Sequence, residues 1–146
     1  MRTLSNRIPR TPGAAPGIEH DEIASLPGGS GQAHITCLDY SPAHVSFLEV
    51  DSLKDFVAVH RPEWSTVRWI NMDGLSDMNA IHALATKYDL HPLAIEDLLH
   101  GIQRPKIESY GGEESDFQAR LFLVARLPRI EKDRLHHAQV SIFLSR

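Results

Sequence analysis

A chain of 146 residues with 42% hydrophobic content can furnish the core of one ordinary domain. Its 23% charged fraction and formal net charge of -4 exclude both the basic footprint of a nucleic-acid binder and the extreme acidity of a solvating tail. The single cysteine, Cys37, can form no internal disulfide, and no stretch approaches the roughly 20 apolar residues of a spanning helix, so a soluble chain in a reducing, cytoplasmic setting is expected.

Residues 1–30 hold Pro9, Pro12, Pro16 and Pro27, several glycines and few bulky apolar side chains. Such a segment buries too little to offset chain entropy and reads as a disordered tail, basic at its start through Arg2, Arg7 and Arg10. Residues 31–146 read as the folded part. Ala33 to Tyr40 favours a strand closed by the Ser41-Pro42 turn signal, and Val45 to Val50 a second, short one. Ser52, with Asp55 three positions on, has the pattern of a capping box. Leu53, Phe56 and Val57 then supply the apolar face of a helix ended by Pro62.

Val67 to Met72 reads as a strand buried on both faces and central in its sheet. Asp73-Gly74 turns the chain, Ser76 or Asp77 can cap, and Met78, Ile81, Leu84, Ala85 and Tyr88 recur at helical spacing. A further helix starts at Pro92, whose missing N–H suits a first helical position, and ends at Gly101. Leu93, Leu98 and Leu99 face inward on it, and Glu96 and Asp97 outward. Gly111 to Gln118 forms an exposed acidic loop. Arg120 to Leu127 is a strand apolar on both faces, and after the charged turn Glu131 to Arg134 the alternation of Val140, Ile142 and Leu144 marks a last strand. Strands and helices interleave without a strict βαβ repeat, which gives an α/β chain of the α+β type: a mixed sheet flanked by helices.

From spacing alone, Glu96 and Asp97 are an acidic pair of the kind that usually remains solvated charge. The sequence around them carries more. Trp69, Ile70, Asn71, Gly74 and Leu75 are followed by His91, Pro92, Leu93, Glu96, Asp97, Gln103, Arg104, Pro105 and Lys106. This order of motifs resembles the cytoplasmic domain of the CorA family of magnesium and cobalt transporters, and weaker similarity runs from Ala33 to Arg146. The resemblance implies an α/β/α sandwich, incomplete at its C-terminal end, in a homo-oligomer that is pentameric in the family.

It also implies that Asp97, flanked by Glu96, holds a regulatory Mg²⁺ at a subunit interface. The opposing carboxylate belongs to a stalk helix outside this sequence, so the chain by itself should bind Mg²⁺, or Co²⁺, weakly. Magnesium takes oxygen ligands and often only one or two carboxylates, which suits such a site. The bound ion would reverse the repulsion between facing carboxylates and tie subunits together. The implied role is an ion sensor on the cytoplasmic face of the cell (inner) membrane, and not an enzyme.

The family's stalk, its two spanning helices and its Gly-Met-Asn signature are not in these residues, so transport is expected only of a longer polypeptide. Contact with the membrane would come through those absent C-terminal helices. A zinc-transporting relative and a freestanding binding module of the same fold are the other readings. His91 is expected to cap its helix, and Arg104-Pro105-Lys106 to fix a turn and pair with neighbouring acids. Neither His136-His137 nor the scattered His60, His82 and His100 has the spacing of a zinc site. No GxSxG, phosphate-loop, dinucleotide or HExxH motif points to catalysis.

Overall fold

A computed structural model describes residues 31–100 and 103–145. The expected N-terminal tail, and Gly101 as a helix stop, lie outside the described residues. The chain falls into two compact units that divide between Lys87 and Tyr88.

In the first unit β1 (His34–Tyr40) lies between β2 (Val45–Glu49) and β3 (Val67–Asp73), antiparallel to both. The period-2 geometry of a strand puts Ile35, Cys37 and Asp39 of β1 on the buried face. Helix α1 (Leu53–Ala58) starts where the sequence signals it: the Ser52 hydroxyl accepts from the Asp55 N–H at 3.4 Å. It buries Phe56. Helix α2 (Met78–Lys87) buries Met78, Ala80, Ile81 and Ala85, a stripe at helical spacing. Asp77 caps it, with Oδ1 accepting from the Ala80 N–H at 3.0 Å. At the other end of α2 the Lys87 ammonium donates to the carbonyls of Val57 and Val59 at 2.6 and 2.7 Å, which serves carbonyls at the end of α1.

The expectation of a central, doubly buried third strand is corrected. β3 is an edge strand that pairs only with β1 among the described residues, and its side chains alternate between exposed and half-buried. Trp69 is 49% exposed. What favoured burial in the sequence was apolar character on both faces, but the outer face of this sheet carries Val45, Phe47, Val67 and Trp69 in the open. On the inner face Arg68 reaches across to Asp39 in a two-pronged ion pair, Nε to Oδ1 at 2.8 Å and Nη2 to Oδ2 at 2.7 Å. Both side chains are about nine-tenths buried (11% and 10% exposed).

The second unit holds α3 (Pro92–Leu99) and an antiparallel sheet ordered β4 (Lys106–Tyr110), β5 (Arg120–Glu131), β6 (Arg134–Leu144). Its core joins Ala94 of α3 to Phe122 and Val124 of β5, with Leu98, Tyr110 and Phe143 packed around them. β5 and β6 are longer than the sequence suggests, because the hairpin continues to Glu131↔Arg134 through a two-residue turn. Lys132 and Asp133 both adopt left-handed φ, 48° and 57°, whose twist matches a tight hairpin. Among the described residues the strands thus fall into two antiparallel three-stranded sheets with three helices, an α+β fold, where the sequence suggested one mixed sheet. Strand patterning shows which residues are strands; it does not state the partner or its direction.

Candidate functional site: an acidic helix face against strand β4

The site lies in the second unit, where α3 faces β4. Before the helix, Asp89 takes a left-handed φ of 50° and its carboxylate accepts the Gln118 N–H at 3.2 Å. His91 is the N-cap: extended backbone, with Nδ1 accepting from the Leu93 N–H at 3.2 Å. Its ring stacks at a tilt between Tyr110 (5.5 Å) and Phe117 (4.9 Å). The nitrogen used for capping is an acceptor here, as the expected helix-capping role of His91 requires. Pro92 occupies the first helical turn as the sequence indicates. The last described helical residue is Leu99, capped by the His100 N–H donating to the Glu96 carbonyl.

Of the two acidic residues singled out in the sequence, Asp97 departs from expectation. It does not project into solvent. Its side chain is 23% exposed, and both oxygens are engaged within the chain. Oδ1 accepts from Gln103 Nε2 at 3.1 Å. Oδ2 accepts from the Lys106 ammonium at 2.6 Å and from the Tyr110 hydroxyl at 2.7 Å. Glu96, one position earlier, is half-buried. The reason for the departure is geometric: a helical turn packed on a strand puts positions 94 and 97–98 toward that strand, and an acid there must find donors.

The donors come from β4, whose inward-leaning positions are Lys106, Glu108 and Tyr110, while Ile107 is 67% exposed. The strand therefore has its two charged residues and its tyrosine inside, and Ile107 and Ser109 outside. Glu108 Oε2 accepts from the same two groups as Asp97, Lys106 Nζ and Tyr110 OH, each at 2.7 Å. Beneath them lies the Phe122 ring, with the Lys106 ammonium 5.9 Å from its centroid. Phe122 is fully buried and contacts Phe143 at 4.8 Å between centroids. Gln103 anchors the incoming segment: its N–H donates to Gln139 Oε1, and its carbonyl accepts twice from Arg126.

The electrostatics follow from these contacts. Burial alone would raise the Asp97 carboxyl, but donation from Lys106 and Tyr110 outweighs it and the net shift is downward. Glu108 is lowered by hydrogen bonds from Lys106 and Tyr110. Burial would lower Lys106, yet the two carboxylates hold it above its ordinary value. Tyr110 is raised by burial and by the two anions at its hydroxyl. The cradle therefore carries two carboxylates and one ammonium at neutral pH.

As a place for a cation it offers hard oxygen atoms from Asp97 and Glu108, a donor set that fits Mg²⁺. The centre between them is taken by an ammonium. Among the described residues no group of three or more His, Cys, Asp or Glu side chains is placed to hold a metal ion. Glu108 and Tyr110 were not singled out in the sequence as site residues. Their signal is the i, i+2, i+4 spacing of Lys106, Glu108 and Tyr110, which places all three on one strand face.

The second unit is thus an α+β module with a charged, half-buried contact between helix and strand. No family model matches the chain. A stretch of 84 residues, 56% of the chain, is 31% identical to the cobalt/magnesium transport protein CorA of Thermotoga maritima. That stretch amounts to 22% of the transporter, so the chain spans about a fifth of the length of the curated relative it matches. Among the described residues no helix is long and apolar enough to cross a membrane.

Proposed function

We propose that this chain is a non-catalytic, cation-sensing regulatory module of a CorA-type magnesium/cobalt transporter, and that Asp97 is the carboxylate through which Mg²⁺ acts. The similarity to the Thermotoga maritima protein carries this reading. The oxygen-rich face formed by Asp97 and Glu108 supports the choice of a hard ion over a soft one. In the assembled transporter Asp97, with Glu96 beside it, meets a carboxylate of a neighbouring subunit. The ion compensates their repulsion and favours the closed state by binding it better than the open one. The module acts at the cytoplasmic face of the membrane, in a homo-oligomer, and moves no ion by itself. Co²⁺ is a second ion the same oxygen atoms can take.

Titration of the 146-residue chain with Mg²⁺ by calorimetry tests the reading. Weak binding that disappears in Asp97→Ala is the expected result. Tight one-site binding abolished by Asp97→Ala would contradict the need for a second subunit, and binding unaffected by Asp97→Ala would remove Asp97 as the ligand.

A further inference from the structure

We propose that Lys106 is a built-in competitor for the cation at Asp97, its ammonium and a divalent ion occupying the acidic cradle in turn. This rests on the preceding reading of Asp97 as a cation ligand and names what regulates it.

The observation behind it is the sharing of donors. Asp97 Oδ2 and Glu108 Oε2 each contact the same two groups, Lys106 Nζ at 2.6 and 2.7 Å and Tyr110 OH at 2.7 Å. A phenol has one proton, so Tyr110 can donate to only one of the two carboxylates at a time. The other oxygen depends on the ammonium. Lys106 therefore does what a bound cation would do, holding two anions side by side in a half-buried place.

Its position is not accidental to the fold. Lys106 pairs with Val124 across the β4–β5 ladder, and its ammonium lies over the buried Phe122 ring. A divalent ion requires oxygen atoms at roughly 2.0 to 2.6 Å around its centre and cannot share that centre with an ammonium. Entry of the ion thus requires the flexible four-carbon stem to swing out to solvent. With Lys106 in place the cradle sums to -1; without it, to -2.

Two consequences follow from the competition. The carboxylates are satisfied with no ion bound, so the module folds whether or not Mg²⁺ is present. The threshold for ion binding is set by how strongly Lys106 holds on, not by Asp97 alone.

The test is Mn²⁺ binding to the 146-residue chain, followed by electron paramagnetic resonance, in wild type, Lys106→Met, Asp97→Asn and the double variant. Met keeps the apolar stem against Phe122 and removes the charge. Removing one facing positive charge should tighten Mn²⁺ binding by roughly 10-fold or more, and Asp97→Asn in the Lys106→Met background should cancel that gain. Unchanged or weaker binding in Lys106→Met, with Asp97→Asn still weakening binding to the otherwise wild-type chain, overturns the competition and leaves Asp97 a ligand. If Asp97→Asn alters binding in neither background, both the competition and the sensor reading fall. Should Lys106→Met fail to fold, the wild-type chain decides: the Lys106 ¹⁵Nζ resonance should shift toward that of a solvated lysine as Mg²⁺ is added. A resonance that does not move at any Mg²⁺ concentration overturns the proposal.

Discussion

Asp97 Oδ2 lies 2.6 Å from Lys106 Nζ, nine residues further along the chain, and this contact joins the second turn of α3 to the first residue of β4. Because only 23% of Asp97 and 22% of Lys106 is exposed, the pair is poorly screened. Asp97→Ala would leave Lys106 with one carboxylate in place of two and Tyr110 likewise. Loss of charge-assisted hydrogen bonds of this kind costs about 2 kcal/mol. Urea unfolding should show that loss, whereas Glu113→Ala in the exposed loop should stay within about 0.5 kcal/mol of wild type.

Acid should weaken the same contact. Asp97 and Glu108 both titrate below their ordinary values of 3.8 and 4.5 in the folded chain. The unfolded chain therefore takes up protons first, and the stabilisation, complete above pH 4.5, is lost as pH falls through the folded values. Thermal midpoints measured from pH 6 down to pH 2 should fall for wild type; the fall should be shallower for Asp97→Asn/Glu108→Gln, which starts from a lower midpoint.

A pH effect of the opposite sign belongs to the first unit. His34 Nε2 donates to the Glu49 carboxylate at 2.7 Å and Nδ1 stands 3.5 Å from Asp73, so the ring on β1 is flanked by acids from β2 and β3. Hydrogen bonds to Glu49 and Asp73 raise its pKa above 6.5. Stability from this source is present below pH 6.5 and is lost as pH rises through the folded value. NMR titration should place the His34 midpoint above 6.5 and return it toward 6.5 in Glu49→Gln/Asp73→Asn.

The Asp39–Arg68 pair is the most buried ion pair described. Arg68→Leu would leave a carboxylate whose side chain is 10% exposed without its ion-pair partner, with Ser65 and Cys37 beside it. Breaking one side of such a pair costs about 3 to 5 kcal/mol. The expected result by denaturant titration is loss of most of the first unit's stability. Asp39→Leu/Arg68→Leu should recover much of it, because no charge then remains buried.

At the hairpin tip, Lys132 and Asp133 hold left-handed φ without being glycine. Lys132→Asn/Asp133→Gly supplies the residues this turn favours and should stabilise the chain by about 1 kcal/mol, read as a raised urea midpoint. Pro at position 132 cannot adopt φ of 48° and should separate β5 from β6 at their tip.

Much of this molecule was legible before any coordinates. Ser52, Ser76 or Asp77, and His91 mark three helix starts because caps are local: Ser52, Asp77 and His91 each satisfy a backbone N–H two or three residues away. Five of the six described strands likewise follow from apolar patterning, and β4, with its polar inner face, does not. Glu108 and Tyr110 escaped notice, since a polar residue in a strand reads as solvent-facing unless the strand's opposite side is known to be open. The exposed Ile107 just before them is where the pattern misleads.

By itself, then, the sequence determined the three described helices, the places of β1, β2, β3, β5 and the end of β6, and the α+β class. Tertiary structure alone decided that the strands divide into two antiparallel sheets, that β3 stands at an edge, and that Asp97 turns toward Lys106, Glu108 and Tyr110 and away from solvent. Local hydrogen bonding and periodicity act within a few residues and are written in adjacent letters. Strand pairing, burial and the partners of a charge depend on residues far apart in the chain, and these are fixed only when the chain packs.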